Sequence, residues 1–466
     1  MGLEVHAELS TKSKIFCGCA NYFGGGPNTC VCPVCSGMPG VLPKLNKSAV
    51  EYAVRAGLAL NCRIAKNFKF DRKNYFYPDL PKAYQISQLY APVCTNGYIE
   101  IKTGKKINIR EIHMEEDAGK LTHDSMRNIT RMDFNRCGAP LIEIVSRPDF
   151  RNGGEIIDYL ERLREILLYL NICDCKMHEG SLRVDVNLSV RRTGEEKMGV
   201  RTETKNLNSF RAIERAVKYE TSRQIEILED GGRVVQETRR WDDDKGASYA
   251  MRSKENAQDY RYFPEPDLPP VNIDDKWLEE IKKSIPESAS RKRERYIRDF
   301  NISEYEAKIL TGDKKIAGLF ERISARSGEP LETAHLIIGE IMRLINAPGI
   351  EDLSLDERKL ADLIKLVLSG KINRTAYKEA VEAVVTDDAE PDEYIARNGL
   401  LMMSDNNIII DAVNIVLAEN AGAAAKYRKG KDKAFGFLMG QVMKKLNGAG
   451  NPDIIKKALE DALTGG

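Results

Sequence analysis

Five cysteines crowd into the twenty-one residues 15–35, IFCGCANYFGGGPNTCVCPVC, although the whole chain of 466 residues holds only ten. Cys17 and Cys19 form a C-x-C pair, Cys32 and Cys35 form a C-x-x-C pair, and a glycine-rich loop joins the two pairs. Four thiolates in such pairs suit the tetrahedral geometry that Zn²⁺ adopts in closed structural sites. Because a closed site leaves no open coordination position, the pattern predicts a stapled loop, with catalysis elsewhere.

Two questions about this cluster stay open at the level of sequence. Cys30 is a fifth thiol, which either replaces Cys32 as a ligand or stays free. Reduced cysteines without a metal are the alternative to zinc. Redox chemistry is disfavoured because no strand-to-helix pattern of the thioredoxin type surrounds the C-x-x-C pair.

Length and charge set the frame for the rest of the chain. The 466 residues are enough for about two to four domains. The 71 Lys and Arg residues almost cancel the 70 Asp and Glu residues, so no overall field indicates a nucleic acid or a membrane as partner. The sequence has no apolar run of about 18 residues and no secretory signal at its start, so we expect a cytoplasmic protein.

Strand and helix signals alternate irregularly over residues 1–290. The segment 97–115 contains two alternating runs around a Thr-Gly pair, which indicates a hairpin. The segment 181–192 alternates between apolar and polar residues, whereas 155–170 has apolar residues at helical spacing. This order favours an α+β fold over a doubly wound sheet. We therefore predict a first domain built on a mixed or antiparallel sheet.

A proline-rich stretch, FPEPDLPPV at 263–271, closes this region because four prolines cannot lie inside a helix. Amphipathic helical patterns dominate after it, and shorter helices fill the last hundred or so residues. We expect three domains, spanning residues 1–290, 291–400 and 401–466. The second is predicted to be all-helical, and the third to be a small helical module.

A locally basic stretch lies in the third predicted domain. Residues 426–446 contain seven basic side chains and one acidic side chain, Asp432. Such a stripe on a helical module is suited to follow nucleic-acid phosphates. A solvated helix face is the alternative.

The first predicted strand, residues 3–9, places three polar groups on one face. Glu4, His6 and Glu8 alternate with apolar residues, so they share the side of the strand that faces away from the core. Carboxylates on either side of a histidine favour a metal or phosphate site. A structural histidine is the alternative.

Further carboxylates come from two other predicted strands. Glu115 and Glu116 are adjacent in HMEEDAG, and on a regular strand they would point to opposite faces, so only an irregular backbone lets both bind one ion. Asp185 lies on the charged face of the segment 181–192. Hard oxygen ligands suit Mg²⁺, whereas histidine is a less usual partner for that ion.

The segment 70–88, FDRKNYFYPDLPKAYQISQ, brings cations close to these acids. It includes five candidate phosphate or nucleotide contacts, which are Arg72, Lys73, Asp79, Lys82 and Tyr84. Phosphoryl transfer needs positive charge where the phosphate oxygens gain negative charge. An exposed mixed-charge loop is the alternative. No G-x-x-x-x-G-K-[ST] motif is present, so any ATP is held by another scaffold.

Several long motifs together resemble the GatB family, the B subunits of aspartyl/glutamyl-tRNA amidotransferases. The resemblance covers essentially the whole chain. Its motifs are GLEVHAEL, NTCVCPVCSGMPGVLP, DRKNYFYPDLPKAYQISQ, HMEEDAGK, EGSLRVDVNLS, TETKNLNSF and GKDKAFGFLMGQVMK.

This resemblance implies a fold and a reaction. The three predicted domains would be a cradle domain, a helical domain and a YqeY-like tail. The family uses ATP to phosphorylate the side-chain carboxylate of glutamate on tRNA(Gln), or of aspartate on tRNA(Asn). Ammonia that the A subunit of the amidotransferase releases from glutamine then displaces the phosphate, and the C subunit ties the other two together. The implied cofactors are ATP, Mg²⁺ and a structural Zn²⁺.

The resemblance also implies roles for individual residues. Those that match Mg²⁺ ligands are Glu4, His6, Glu115 and Glu116. Asp185 takes the matching position on its strand, and Lys73 and Lys82 match lysines of the kinase pocket or ammonia path. We expect Arg72, Asp79 and Tyr84 to contact the nucleotide. The basic stripe is similar to one that contacts tRNA, and its candidate residues are Lys429, Lys431, Lys433 and Lys444.

The chain departs from the family pattern at three positions. Ala83 stands where the family usually has glycine, His178 stands where an acidic residue is common, and Cys30 is an additional thiol. A rival hypothesis is a zinc-stabilised tRNA-binding protein without catalysis. That hypothesis leaves the carboxylates of the first and later strands without a role.

Overall fold

The computed structural model divides the chain into two compact units, Met1–Ser288 and Ala289–Gly466. The residues that it describes are 1–124, 126–253, 260–346, 355–402, 406–428, 433–446 and 450–464.

All the strands that the structure describes lie in the first unit. In chain order they are β1 (Gly2–Glu8), β2 (Arg63–Ile64), β3 (Asn67–Phe68), β4 (Asp71–Asn74), β5 (Tyr84–Ser87), β6 (Cys94–Glu100), β7 (Lys106–Glu116), β8 (Lys120–Asp124), β9 (Ile129–Asp133), β10 (Pro140–Ser146), β11 (Leu182–Leu188), β12 (Thr202–Lys205), β13 (Glu237–Asp242), β14 (Ala247–Ser253), β15 (Phe263–Pro264) and β16 (Val271–Asn272). The helices of this unit are α1 (Lys47–Ala59), α2 (Gly153–Tyr169), α3 (Phe210–Glu229) and α4 (Asp275–Lys283).

Nine of these strands form one large sheet in the order β14-β13-β12-β11-β1-β10-β7-β6-β2. Neighbouring strands are antiparallel except for the parallel pair β12 and β13. The predicted hairpin is confirmed as β6 and β7, which pair around a turn at Gly104 with φ +78°. The α+β prediction is confirmed, and the sheet is mixed as expected.

The large sheet has one apolar face and one polar face. On β1, the side chains of Leu3, Val5 and Ala7 are fully buried, and α1, α2 and α3 pack on the same side of the sheet. The helix α2 begins after Asn152, whose side chain accepts a hydrogen bond from the Glu155 N–H at 2.9 Å. Because side chains alternate along a strand, the remaining residues of β1 face the opposite side of the sheet.

Three small sheets supplement the large one. Their strand orders are β15-β4-β5, β16-β3 and β8-β9. The proline-rich segment 263–271 is therefore not a linker, because β15 at its start pairs with β4 and β16 at its end pairs with β3. Strand β5 packs against β7, and the Ser87 hydroxyl donates to the Glu115 carboxylate at 3.3 Å. The pair β4 and β5 consequently covers part of the polar face.

The described part of the second unit is helical. Its helices are α5 (Ala289–Phe300), α6 (Glu304–Leu310), α7 (Lys314–Ser327), α8 (Pro330–Leu336), α9 (Met342–Ile345), α10 (Glu357–Leu368), α11 (Arg374–Asp387), α12 (Pro391–Arg397), α13 (Asn406–Glu419), α14 (Ala421–Arg428), α15 (Lys433–Lys445) and α16 (Pro452–Thr464). A π-helical turn, Ile337–Ile341, joins α8 to α9. Two apolar clusters form here, one from Tyr296 to Ile395 and one from Ile409 to Leu463. The predicted division at residue 400 stays a prediction.

Across the ranges that the structure describes, no single helix is both long and apolar enough to cross a membrane. The helices α13 and α14 together have the length and apolar composition of a membrane span, but a bend of 93° separates them.

Candidate active site

A cleft of about 830 Å³ opens on the polar face of the large sheet. Strands β1, β7, β10, β11 and β12 contribute to its lining, together with residues of the segment 73–85. Its seven carboxylates are those of Glu4, Asp79, Glu115, Asp117, Glu143, Asp185 and Glu203. Its five cationic side chains are those of Lys73, Arg136, Arg183, Arg201 and Lys205. Strands that are distant in sequence thus bring acids and cations into one cavity.

One group of potential metal ligands consists of His6, Glu115 and Glu143. Their ligand atoms all lie within 4.8 Å of one another, and His6 Nε2 is 3.6 Å from Glu115 Oε1. The register of the sheet explains this proximity, because His6 on β1 is directly opposite Glu143 on β10. Glu115 comes from β7, the next strand of the sheet.

The electrostatics of this group suit a cation. Burial, assisted by Arg183 and Lys205, lowers the pKa of His6 to about 3, so its imidazole is neutral near pH 7. Burial raises the pKa of Glu143 to about 7, and the neighbouring carboxylate of Glu115 adds to this rise. Burial also raises the pKa of Glu115. A neutral imidazole beside crowded carboxylates is a donor set that a divalent cation would stabilise.

A second group, Glu4, Asp185 and Glu203, lies in the same cleft, again with ligand atoms within 4.8 Å of one another. Here a cation is already present, because Lys205 Nζ is 2.6 Å from Asp185 Oδ2 and 3.1 Å from Glu203 Oε1. The Asn187 amide donates to Glu4 Oε1 at 3.0 Å. Lys205 thus neutralises part of this group, whereas the group around His6 has no lysine or arginine in direct contact among the described residues.

Glu116 does not join either group. Its carboxylate accepts a hydrogen bond from the Ile86 N–H at 2.9 Å and pairs with Lys82. Strand β7 stays paired with β10 through both Glu115 and Glu116, so the two side chains point to opposite faces. The irregular backbone that would let both carboxylates bind one ion is not present at Glu115 and Glu116, so the structure does not bring Glu116 to the other predicted Mg²⁺ ligands.

Glu116 instead lines a separate cavity of about 220 Å³. Lys82 and Tyr84 line this cavity too, beside Cys17 and Cys35 of the cysteine cluster. The two lysines matched to the kinase pocket or ammonia path thus line different cavities, because Lys73 lines the large cleft and Lys82 lines the small one.

Of the remaining residues predicted in the segment 70–88, Asp79 reaches the large cleft beside Lys73 and Arg72 does not. Asp79 lines the large cleft, and the Lys73 ammonium lies 4.9 Å from the ring centroid of Tyr260. Within the described ranges, Lys73 has no carboxylate in ion-pair distance, so its charge is available to a ligand.

Arg72 is held by the protein instead of lining either cavity. Its guanidinium donates to both oxygens of Glu265, at 2.7 and 3.0 Å, and to Asp267 at 2.8 Å. It also stacks over Tyr84, with 4.2 Å from Arg72 Cζ to the ring centroid. Arg72 therefore anchors β4 to the proline-rich segment.

Several cleft residues were not singled out from the sequence. Glu143 is the one charged residue of the otherwise apolar strand β10. A charged residue within an apolar run is the sequence feature that could have identified Glu143 as a site residue. Glu203 and Lys205 alternate in TETK, which places them on one face of β12. The Arg183 guanidinium lies 2.8 Å from Asp117 Oδ2. Burial alone would raise the pKa of Asp117. The charges of Arg183 and Arg136 outweigh burial and hold this pKa below its usual value.

The cysteine cluster assembles from four of the five predicted thiols. The sulfurs of Cys17, Cys19, Cys32 and Cys35 lie within 4.8 Å of one another. The Cys35 sulfur is 4.0 Å from that of Cys19 and 3.9 Å from that of Cys32. Four bonds of about 2.3 Å in a tetrahedron would place sulfurs about 3.8 Å apart, so the cluster is compatible with zinc. Cys30 stays outside, and its thiol donates to the Ala20 carbonyl at 3.2 Å.

Two of the four lysines predicted to contact tRNA are described by the structure. Lys433 begins α15 and Lys444 lies in its last turn, and both side chains are exposed. Lys429 and Lys431 lie outside the described residues.

Comparisons with known proteins agree along the whole chain. Residues 1–279 match the GatB/GatE catalytic domain, and residues 318–463 match the GatB domain. The B subunit of the aspartyl/glutamyl-tRNA(Asn/Gln) amidotransferase of Lachnoclostridium phytofermentans is 55% identical, over 100% of this chain and 98% of that protein. The B subunit of the same enzyme from Caldicellulosiruptor bescii is 54% identical, over 99% of this chain and 98% of that protein.

We predict that Ala83→Gly stabilises the protein. Ala83 has φ +61°, in the left-handed region that strains residues with a Cβ atom. Removing the Cβ should raise the free energy of unfolding by about 1 kcal/mol, which thermal denaturation would register as a higher melting temperature. Ala91→Gly, at a position without positive φ, is the control and should give no gain. An unchanged melting temperature in Ala83→Gly would contradict the prediction.

We also predict how pH changes the stability of the chelator-treated protein. A carboxyl with a raised pKa favours folding when it is protonated, so the contribution of Glu143 is complete below pH 4.5 and is lost as the pH rises through about 7. The melting temperature should therefore fall between about pH 5 and about pH 8, and by less in Glu143→Gln. The exposed substitution Glu229→Gln should leave the fall as in the wild type. An equal fall of the melting temperature in all three proteins would contradict the prediction.

Proposed function

This chain belongs to the family of aspartyl/glutamyl-tRNA(Asn/Gln) amidotransferase B subunits, and we propose that its large cleft is where the misacylated amino acid is activated. The chain is thus part of a glutamine-dependent ligase of protein biosynthesis, which amidates the amino acid on Glu-tRNA or Asp-tRNA. Its partners are the A and C subunits of the amidotransferase and the tRNA. We expect it to act in the cytoplasm, where its substrate is used.

The chemistry of amidation defines what the cleft must do. A carboxylate does not react with ammonia because oxide is a poor leaving group, whereas phosphate is a good one. Phosphorylation by ATP therefore has to come first. Transfer of the phosphoryl group needs cations around its oxygens and a fixed position for the accepting carboxylate.

We assign the metal-binding role to His6, Glu115 and Glu143, with Glu4 and Asp185 alongside in the second group. Mg²⁺ at this position would neutralise nucleotide phosphate and hold it toward the acceptor. We thus assign to Glu143 the metal-ligand role that the resemblance implied for Glu116. The convergence of a neutral imidazole, one buried carboxylate and one partly buried carboxylate in one cleft is the observation that carries this proposal.

Three cationic side chains of the cleft have two roles in this proposal. Lys73 and Arg201 line the same cleft and would contact phosphate oxygens. Lys205 fixes Asp185, so it orients the second group instead of binding phosphate. Asp79 reaches the cleft from the covering segment, and we assign it to nucleotide or metal-water contacts.

The smaller cavity fits a separate step. Its pair of Lys82 and Glu116 offers a donor and an acceptor beside Tyr84, in a space too small for a nucleotide. We assign this cavity to the route of ammonia toward the activated carboxyl group. The exposed Lys433 and Lys444 of α15 would contact tRNA phosphates.

Glu115→Gln should lower phosphate release that depends on Glu-tRNA or Asp-tRNA by about 100-fold or more, because a proposed ligand of the cation that would neutralise the reacting phosphate is lost. The assay uses the complex with the A and C subunits and measures phosphate, while a gel shift follows tRNA binding. Binding of tRNA should survive. Mn²⁺ binding, followed by electron paramagnetic resonance, should weaken in Glu115→Gln and stay unchanged in Glu116→Gln.

The same pair of variants also tests the rival hypothesis of a tRNA-binding protein without catalysis. Unchanged phosphate release in Glu115→Gln would support that rival. Equal loss of Mn²⁺ in the Glu115 and Glu116 variants would instead contradict the separation of the two carboxylates.

We propose that the cysteine cluster binds structural zinc. Elemental analysis of the purified chain should find about one zinc per molecule. Cys17→Ser and Cys35→Ser should lower this content because each removes one of four ligands. Cys30→Ser is the matched control and should retain zinc, since that thiol lies outside the cluster. Loss of zinc in Cys30→Ser would contradict the assignment of ligands.

A further inference from the structure

Lys14 is a buried lysine beside the cysteine cluster. Its side chain is only 1% exposed and is among the largest fully buried side chains of the chain. Its ammonium donates to the Cys30 carbonyl at 2.7 Å and lies 3.6 Å from the Cys35 sulfur. In the ranges that the structure describes, no carboxylate oxygen lies within 4.0 Å of the Lys14 ammonium, so Lys14 forms no ion pair with Asp or Glu there. A buried ammonium without a counter-charge is strongly unfavourable.

The position of Lys14 is built into the fold. Its backbone N–H donates to the Cys19 carbonyl at 2.9 Å, and its own carbonyl accepts from the Asn46 amide at 3.3 Å. The next N–H in the chain, that of Ile15, donates to the Gly138 carbonyl at 2.9 Å. Three separate segments thus fix the backbone of the lysine beside the cluster. Its burial therefore follows from the backbone position and not from the side-chain rotamer alone.

The cysteines offer the charge that Lys14 needs. Four thiolates around one divalent cation carry a net charge of −2, whereas four neutral thiols carry none. The Cys30 carbonyl alone would be sufficient for a neutral hydrogen-bond donor, but it does not balance the charge of an ammonium. The combination of a fixed ammonium, a neighbouring sulfur and no carboxylate therefore matches a negatively charged cluster.

We propose that Lys14 is the internal counter-charge of a metal-tetrathiolate site, and that it favours the metal-bound cluster over free thiols. This proposal rests on the assignment of zinc to the cluster. Lys14 is not a ligand. It acts through the charge of the thiolates, as residues around a metal site tune the ligands that they contact.

Zinc affinity of the full-length chain tests this role. Competition with a chromophoric chelator should show about 10- to 100-fold weaker binding in Lys14→Met. Lys14→Gln keeps a donor for the Cys30 carbonyl but removes the charge, so it should show a similar loss. Lys12→Met is the matched control, because this exposed lysine lies two residues away, and it should bind as the wild type does. Equal affinity in all four proteins would overturn the role of Lys14.

A second measurement separates charge from general damage to the fold. Lys14→Met should lower the melting temperature of the zinc-loaded protein. In a Cys35→Ser background, where the tetrathiolate is lost, the same substitution should raise it, because an uncompensated buried charge disappears. A decrease in both backgrounds would overturn the proposal. A wild-type chain that binds no zinc would instead overturn the zinc assignment itself, whatever the lysine variants do.

Discussion

The pairing of β1 with β10 on one side and β11 on the other is the constraint on which the molecule depends. It places a strand from the start of the chain in the interior of a nine-stranded sheet. Alternation along that strand then sends apolar side chains into the core and polar ones into the cleft. A shift of one residue in either pairing would bury Glu4 and His6 and expose the core residues between them. The active site and the hydrophobic core are therefore fixed by the same register.

Much of this arrangement was accessible from the sequence because it depends on local periodicity. Alternation predicted the polar face of β1 and the charged face of β11, and helical spacing predicted α2. The spacing of the cysteines predicted the four thiols that converge. The same alternation rule, applied without exception, would also have separated Glu115 from Glu116. The resemblance grouped Glu116 with the metal ligands instead, and the structure places its side chain on the other face of β7.

The rest depends on contacts between distant segments, which periodicity does not specify. Glu143 joins His6 only because β10 is the neighbour of β1, and nothing in either strand alone announces that pairing. Arg72 looked like a phosphate contact, but Glu265, nearly two hundred residues away, engages its guanidinium. Lys14 was not singled out by any pattern in the sequence. Only the assembled structure shows it buried beside the thiols.

The pairing of β15 with β4 and of β16 with β3 has a consequence for the order in which the molecule can form. Strands β3 and β4 lie near residue 70, yet β16 and β15, which pair with them, lie near residue 270. A ribosome must therefore release about two hundred more residues before β15 and β16 can pair with β4 and β3, and such long loops are slow to close. The two small sheets are therefore complete only once the first unit has been almost entirely synthesised.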